Sequence, residues 1–223
     1  MTRHAALIIL AAIGAAGAAF LSGCGDPTAD LDSGDAATTV KALRECAKID
    51  SENVATKVAG IVEHEDTMVA AEAVRSLGRM DRPVARKALR DVATGAREKR
   101  GAVRQEAVIQ LGRQDDPEVL PVLRQVVQAD PDPSVRAAAA TSIARQRSLP
   151  DVALLVEIAE KETDPIVQAR AVGAVERLIG LKFGYDPKDP PELRRKALLR
   201  MRSIALAAAA KLGEWRRQQG DNK

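Results

Sequence analysis

From about residue 36 onward the apolar positions of this chain fall into columns. The segment 69–78 reads Val-Ala-Ala-Glu-Ala-Val-Arg-Ser-Leu-Gly. Three later segments repeat its pattern: Val-Arg-Gln-Glu-Ala-Val-Ile-Gln-Leu-Gly at 103–112, Val-Arg-Ala-Ala-Ala-Ala-Thr-Ser-Ile-Ala at 135–144 and Val-Gln-Ala-Arg-Ala-Val-Gly-Ala-Val-Glu at 167–176. The starts lie 34, 32 and 32 residues apart. Within each segment the apolar residues stand 0, 4, 5 and 8 places from the opening valine, which is one stripe of an α-helix. Ala73, Ala107, Ala139 and Ala171 share one slot, where a small side chain lets a neighbouring helix come to the near end of the usual ~8–10 Å.

A second helix is expected after each stripe. Pro83, Pro117 and Pro150 follow the opening valines by 14, 14 and 15 residues, and proline suits the first turn of a helix. Leu89, Leu123 and Leu155 then stand at offset 20, with Val92, Val126 and Ile158 at offset 23. Asp66, Asp132 and Asp164 precede their valines by three, where a carboxylate caps free backbone N–H groups. Arg100 interrupts that column. The motif Asp-Pro-x-Val-Arg-x-x-Ala-x-x-x-Leu-Gly, clearest at 132–136 and 107–112, resembles HEAT repeats of the short bacterial kind also found in phycobilisome lyases. The resemblance runs over about 66–180, with a degenerate first unit at 36–64 (helices near 37–49 and 51–64). It implies an all-α fold, an α-solenoid of about five HEAT-like helix pairs, each burying its stripe against its neighbours. A turn-rich insertion at 181–191 and a helix over about 190–217 follow. Leu193, Ala197, Met201, Ile204, Ala208, Leu212 and Trp215 form that helix's expected seam, as a C-terminal cap.

The beginning of the chain has a different character. Arg3 and His4 precede an uncharged run of 17 residues, 5–21, and then Leu21-Ser22-Gly23-Cys24. A basic tip, a short apolar stretch and small residues are the layout of an export signal. The run is shorter than the ~20 apolar residues of a membrane span and rich in Ala and Gly. The tetrapeptide resembles the lipobox of bacterial lipoproteins, which implies lipidation of Cys24 and cleavage before it. Gly25, rather than Asp, follows the cysteine, which favours outer-membrane delivery in a two-membrane cell. Residues 25–35 hold four acids and one apolar side chain larger than alanine, and read as a flexible tether. The organisation is therefore 1–23 signal peptide, 24–35 lipidated cysteine and tether, 36–180 repeat solenoid, 181–223 insertion and capping helix.

Composition narrows the function. Aromatic residues make up 2% of the chain, which argues against a β-sandwich and against base-stacking platforms for single-stranded nucleic acid. The net charge of +3 dictates no polyanionic partner. Cys24 and Cys46 are too few for a disulfide framework or a four-cysteine zinc site, and Cys46 reads as a small buried apolar residue. His64, in Glu-His-Glu-Asp at 63–66, looks superficially like a metal cluster. Adjacent helical residues point in different directions, so a solvated helix end is the better reading. No phosphate loop, nucleophile elbow or His-Glu-x-x-His is present. The expectation is a non-enzyme without cofactor, metal or small-molecule substrate.

Charge is nonetheless uneven: residues 82–104 carry a net +6, residues 194–217 a net +7 and residues 151–164 a net −4. Arg86, Lys87, Arg90 and Arg124 lie on the second helices, which the HEAT resemblance implies line the concave face. They are the candidate protein-binding residues, facing a protein partner of unknown identity. Rival readings are an accessory of a lyase or other enzyme, and contact of the basic C-terminal helix with anionic lipid.

Overall fold

In the computed structural model, which describes residues 26–220, the chain forms ten α-helices. They are α1 (Ala36–Cys46), α2 (Glu52–Gly60), α3 (Thr67–Leu77), α4 (Pro83–Ala93), α5 (Gly101–Leu111), α6 (Val119–Ala129), α7 (Pro133–Arg145), α8 (Val152–Lys161), α9 (Pro165–Ile179) and α10 (Pro191–Gly220). No strand occurs among the described residues. The signal peptide and Cys24 lie outside the described residues.

The repeating columns are the core. Val69, Val103, Val135 and Val167 open the stripes of α3, α5, α7 and α9, and all are fully buried, as are the four slot alanines. Leu89, Leu123 and Leu155 close the same core from α4, α6 and α8, while Ile158 is only partly buried. One cluster of buried side chains runs from Leu31 to Ala205, so no unit has a core of its own. The caps also fall where expected: Asp66, Asp132 and Asp164 accept backbone N–H groups at 2.7, 2.8 and 2.8 Å. Arg100 makes no side-chain cap to α5. Its guanidinium spans Glu98 (2.6 Å) and the Glu65 carbonyl (2.9 Å), joining two units instead.

The odd-numbered helices stack in one continuous row, α1 on α3, α3 on α5, α5 on α7 and α7 on α9. Small residues make this row tight. Ser142 Oγ donates to the Val108 carbonyl at 3.1 Å, so α7 lies directly on α5. Gly112 faces the same serine, and a Cβ there would overlap its side chain. The even row is looser: α2 packs on α4, α4 meets α6 more lightly, and α6 and α8 do not form a packed pair. A stack close on one side and open on the other bends toward the close side. The odd helices therefore form the inner, concave row.

Buried ion pairs tie the units together. Arg104 on α5 grips Asp130, at the end of α6, through two bonds of 2.8 Å, with side-chain exposures of only 6% and 5%. Arg136 on α7 holds Glu162, at the end of α8, at 2.8 and 3.0 Å. These hydrogen bonds hold the Glu162 carboxyl below its usual range, against the opposing effect of burial. The Glu98 carboxyl is likewise lowered by its hydrogen bonds to Arg100.

Both ends depart from expectation. Residues 26–35 are not a free tether. They form a short 3₁₀ turn, Ala29–Asp32, whose Leu31 is buried against α1. Asp26 accepts from Thr28 N at 2.9 Å, Lys57 donates to Thr28 Oγ1 at 2.7 Å, and Asp35 caps α1. A single leucine suffices because it fills the open end of an existing core rather than building one. Cys46 lies beneath this turn, fully buried, and burial raises its thiol pKa.

At the other end, Phe183 is buried, and Tyr185 donates to Gln168 Oε1 at 2.8 Å. Gly180 takes the left-handed φ of 76° that ends α9. The buried seam of α10 is Ala197, Leu198, Met201 and Ala205, with Ala208, Ala209 and Leu212 partly covered. Leu193, Ile204 and Trp215 were expected in that seam and are exposed, Trp215 at 57%. Leu193 and Ile204 are exposed because the buried face is turned toward Leu198, Met201 and Ala205. Trp215 is exposed because, at ~1.5 Å rise per residue, α10 is about three times as long as α8, so its far end has little to pack on.

Three outcomes test this construction. Val108→Asp buries an unpaired carboxylate and is expected to cost several kcal/mol, read as a sharp fall in Tm; a wild-type melting curve would refute the register. Arg104→Ala strands a buried Asp130 and is expected to cost about 3–5 kcal/mol, most of it recovered by also replacing Asp130 with Leu. Because the Glu98 and Glu162 pKa values are depressed in the folded chain, their stabilisation is present at neutral pH. It is lost as pH falls from about 4.3, the ordinary Glu value, through the lower folded values. Tm is expected to fall over that acid range, less steeply in Arg136→Gln; equal slopes in the two proteins would contradict the bridge.

Candidate protein-binding surface

The four basic residues expected to form the binding face are on the even helices and therefore on the outer row, which corrects their assignment to the concave face. The physical reason is the close contact along the odd row: Ser76 Oγ donates to the Leu43 carbonyl at 2.9 Å and Ser142 Oγ to the Val108 carbonyl at 3.1 Å, and the inside of the bend goes with the row so drawn together. Each of the four also has a carboxylate partner. Arg86 Nη1 binds Asp81 at 2.9 Å, and Arg86 and Arg90 converge on Asp116 at 3.8 and 3.4 Å. Arg90 also reaches Glu118 at 3.0 Å. Arg124 binds Asp151 at 2.6 and 3.1 Å. Lys87 pairs with Asp91 of its own helix at 2.6 Å and stays 70% exposed. Asp116 and Asp151 lie in the connections leading to α6 and α8, so these arginines bridge the gaps that the looser outer row leaves open. Arg86 and Arg90 are brought together; Arg124 and Lys87 are separate.

The inner row divides in two. Toward the N-terminus its charges are matched: Glu72, buried on α3, accepts from Arg44 at 3.0 Å and Arg75 at 2.9 Å, and Arg75 also reaches Glu106 at 3.3 Å. Burial raises the Glu72 pKa, and the two arginines more than reverse it, so the net direction is down. At the ends of the odd helices the picture changes. Arg79, Arg113, Arg145 and Arg177 each stand ten residues after the opening valine of their unit. All four are exposed, and none has a carboxylate within ion-pair distance among the described residues. Arg113 donates to the neutral Gln110 at 3.3 Å. The column stands in the repeat register two residues beyond the last apolar position of each stripe, a polar signal that the apolar pattern by itself does not carry.

Two open depressions lie along this edge between α7 and α9. One, of ≈ 460 Å³, is lined by Arg145, Arg147 and Arg177 together with Ala144 and Leu178. The other, of ≈ 500 Å³, includes Arg170, Gly173, Arg177 and Lys182. Arg147 has a φ of 55°, the left-handed region, which costs a non-glycine residue about 1 kcal/mol. The strain sits beside the shared Arg145–Arg177 depression.

The remaining candidates separate. His64 Nδ1 accepts the Asp66 backbone N–H at 3.0 Å, Glu63 binds Arg97 at 2.6 Å and Asp66 caps α3. Among the described residues no group of three or more His, Cys, Asp or Glu side chains is arranged to hold a metal ion. No described helix is long and apolar enough to cross a membrane. The arrangement leaves a row of exposed guanidinium groups, Arg79, Arg113, Arg145 and Arg177, along one edge of the array.

A family model described as HEAT repeats matches residues 96–176, from just before α5 through most of α9. No curated protein matches the chain significantly. Among solved structures, the crystal structure of an engineered protein determined as a structural-genomics target aligns at 17% identity with a TM-score of 0.46. That alignment covers 83% of this chain and 95% of the other. The architecture is an all-α, HEAT-like solenoid, a fold that suggests a scaffold for protein interaction.

Proposed function

We propose that this chain is a membrane-anchored scaffold that holds another protein in the bacterial cell envelope, tethered by lipid on Cys24. The observation that carries the scaffold reading is the single continuous core from Leu31 to Ala205. It makes the array one rigid body whose long inner edge is free, which is what binding an extended surface requires. The lipobox-like Leu21-Ser22-Gly23-Cys24 supports the anchor. Two or more acyl chains give stable attachment, each buried methylene contributing ~0.8 kcal/mol. Residues 26–35 dock on the array, so the anchor on Cys24 holds its N-terminal end close to the bilayer. No catalytic step is proposed, and the separate partners of His64, Glu63 and Asp66 favour the scaffold over a lyase-like accessory.

A second reading has its own observation. The distal half of α10 exposes Leu206 and Trp215 together with Lys211 and Arg217, a composition that suits an anionic lipid surface. Binding of a Cys24→Ser chain to anionic vesicles, lost on Leu206→Ser with Trp215→Ser, would support it.

Mass spectrometry of the mature amino terminus is expected to show a lipidated Cys24 as the first residue. An unmodified Cys24 would remove the anchor. Crosslinking in native membranes is expected to recover a protein partner reproducibly, and recovery of none would remove the scaffold.

A further inference from the structure

The inner-edge arginines stand apart from those of the outer row, where Arg90 and Arg124 are answered by Asp116 and Asp151 from the connections to the next unit. Arg79, Arg113, Arg145 and Arg177 recur once per unit, all exposed and without acidic partners among the described residues. Arg145 and Arg177 line one depression, and Arg147 joins them there in a strained backbone conformation. Such strain persists only when its surroundings maintain it, and it concentrates at binding sites.

We propose that this column is a docking edge for an extended acidic segment of a partner protein, with carboxylates at every third residue. The inference rests on the scaffold reading and names its surface and its partner's chemistry. The argument is one of spacing. Packed helices lie ~8–10 Å apart, so successive guanidinium groups recur at about that interval. A polyproline II segment advances ~3.1 Å per residue with three residues per turn, so every third side chain falls on one side at about 9 Å. An Asp or Glu at each third position thus meets one arginine per unit. Arginine's planar fork suits paired contacts to such carboxylates.

Duplex nucleic acid fits less well. It carries a charge about every 1.7 Å, so most phosphates would find no arginine. No aromatic side chain lines either depression to stack on a base.

The test uses the full chain and a fluorescein-labelled (Pro-Pro-Glu)5 peptide, with anisotropy as the readout. A peptide of the same composition with its glutamates in one block, and a DNA duplex, serve as comparison probes. The spaced peptide is expected to bind more tightly than either, and to weaken with added salt. Arg145→Glu with Arg177→Glu is expected to reduce its affinity about tenfold or more, and Arg145→Gln with Arg177→Gln by less. Lys87→Glu on the outer row is expected to leave it unchanged. These side chains are exposed, so the variants should melt with the wild type. Equal affinity in the Arg145/Arg177 variants, equal binding of the block peptide, or tighter binding of duplex would overturn the proposal. Membrane crosslinking with the same variants separates the two readings. A partner captured equally by wild type and by the Arg145/Arg177 variants leaves the scaffold standing and moves its surface elsewhere. No partner from the wild type removes both.

Discussion

The close approach of the odd-numbered helices is the constraint from which the rest of the molecule follows. Helices pack tightly only where the side chains between them are small. Here glycine faces serine at the contact between α5 and α7, and Ser76 and Ser142 bond directly to the backbone of the neighbouring odd helix. Once that row is close, the even row carrying leucine and valine is held apart, and the stack bends. The bend decides which charges lie inside and which lie outside. It also leaves gaps on the outer row, which Arg90–Asp116 and Arg124–Asp151 span.

Arginine therefore plays two roles in one chain. Arg104 and Arg136 sit inside the array, each bonded to an acid 26 residues further on, where removing either partner leaves a buried charge. Arg79, Arg113, Arg145 and Arg177 sit at the mouth of the inner edge with no such acid in reach among the described residues. The chemistry of the side chain is identical in both sets. The difference is whether the following unit delivers a carboxylate to the same place.

The ends of a solenoid must be closed, because an exposed end unit presents an apolar face. This chain closes one end economically, with Leu31 and a short turn, and the other with Phe183, Tyr185 and α10. The second closure is longer than the face it covers. That excess leaves exposed apolar and basic residues on distal α10, a surface separate from the arginine edge.

The helices, their order and their buried faces were legible in the residues, since a stripe at 0, 4, 5 and 8 is buried only if the segment is helical and a neighbour covers it. The aspartate caps were legible for the same local reason. What lay beyond the linear pattern was the direction of the bend, and with it the reassignment of Arg86, Lys87, Arg90 and Arg124 from the inner row to the outer. That depends on helix separations summed over several units. The pairing of Arg90 with Asp116 and of Arg124 with Asp151 was equally hidden, because 26 and 27 residues separate the partners. The docking of 26–35 and the overhang of α10 belong to this second class. Within the repeats the sequence by itself determined which residues must be buried, because there burial follows periodicity. Only the tertiary structure decided which charges are neutralised and which stand free, because a charge is answered by whatever the folded chain brings within a few ångströms of it.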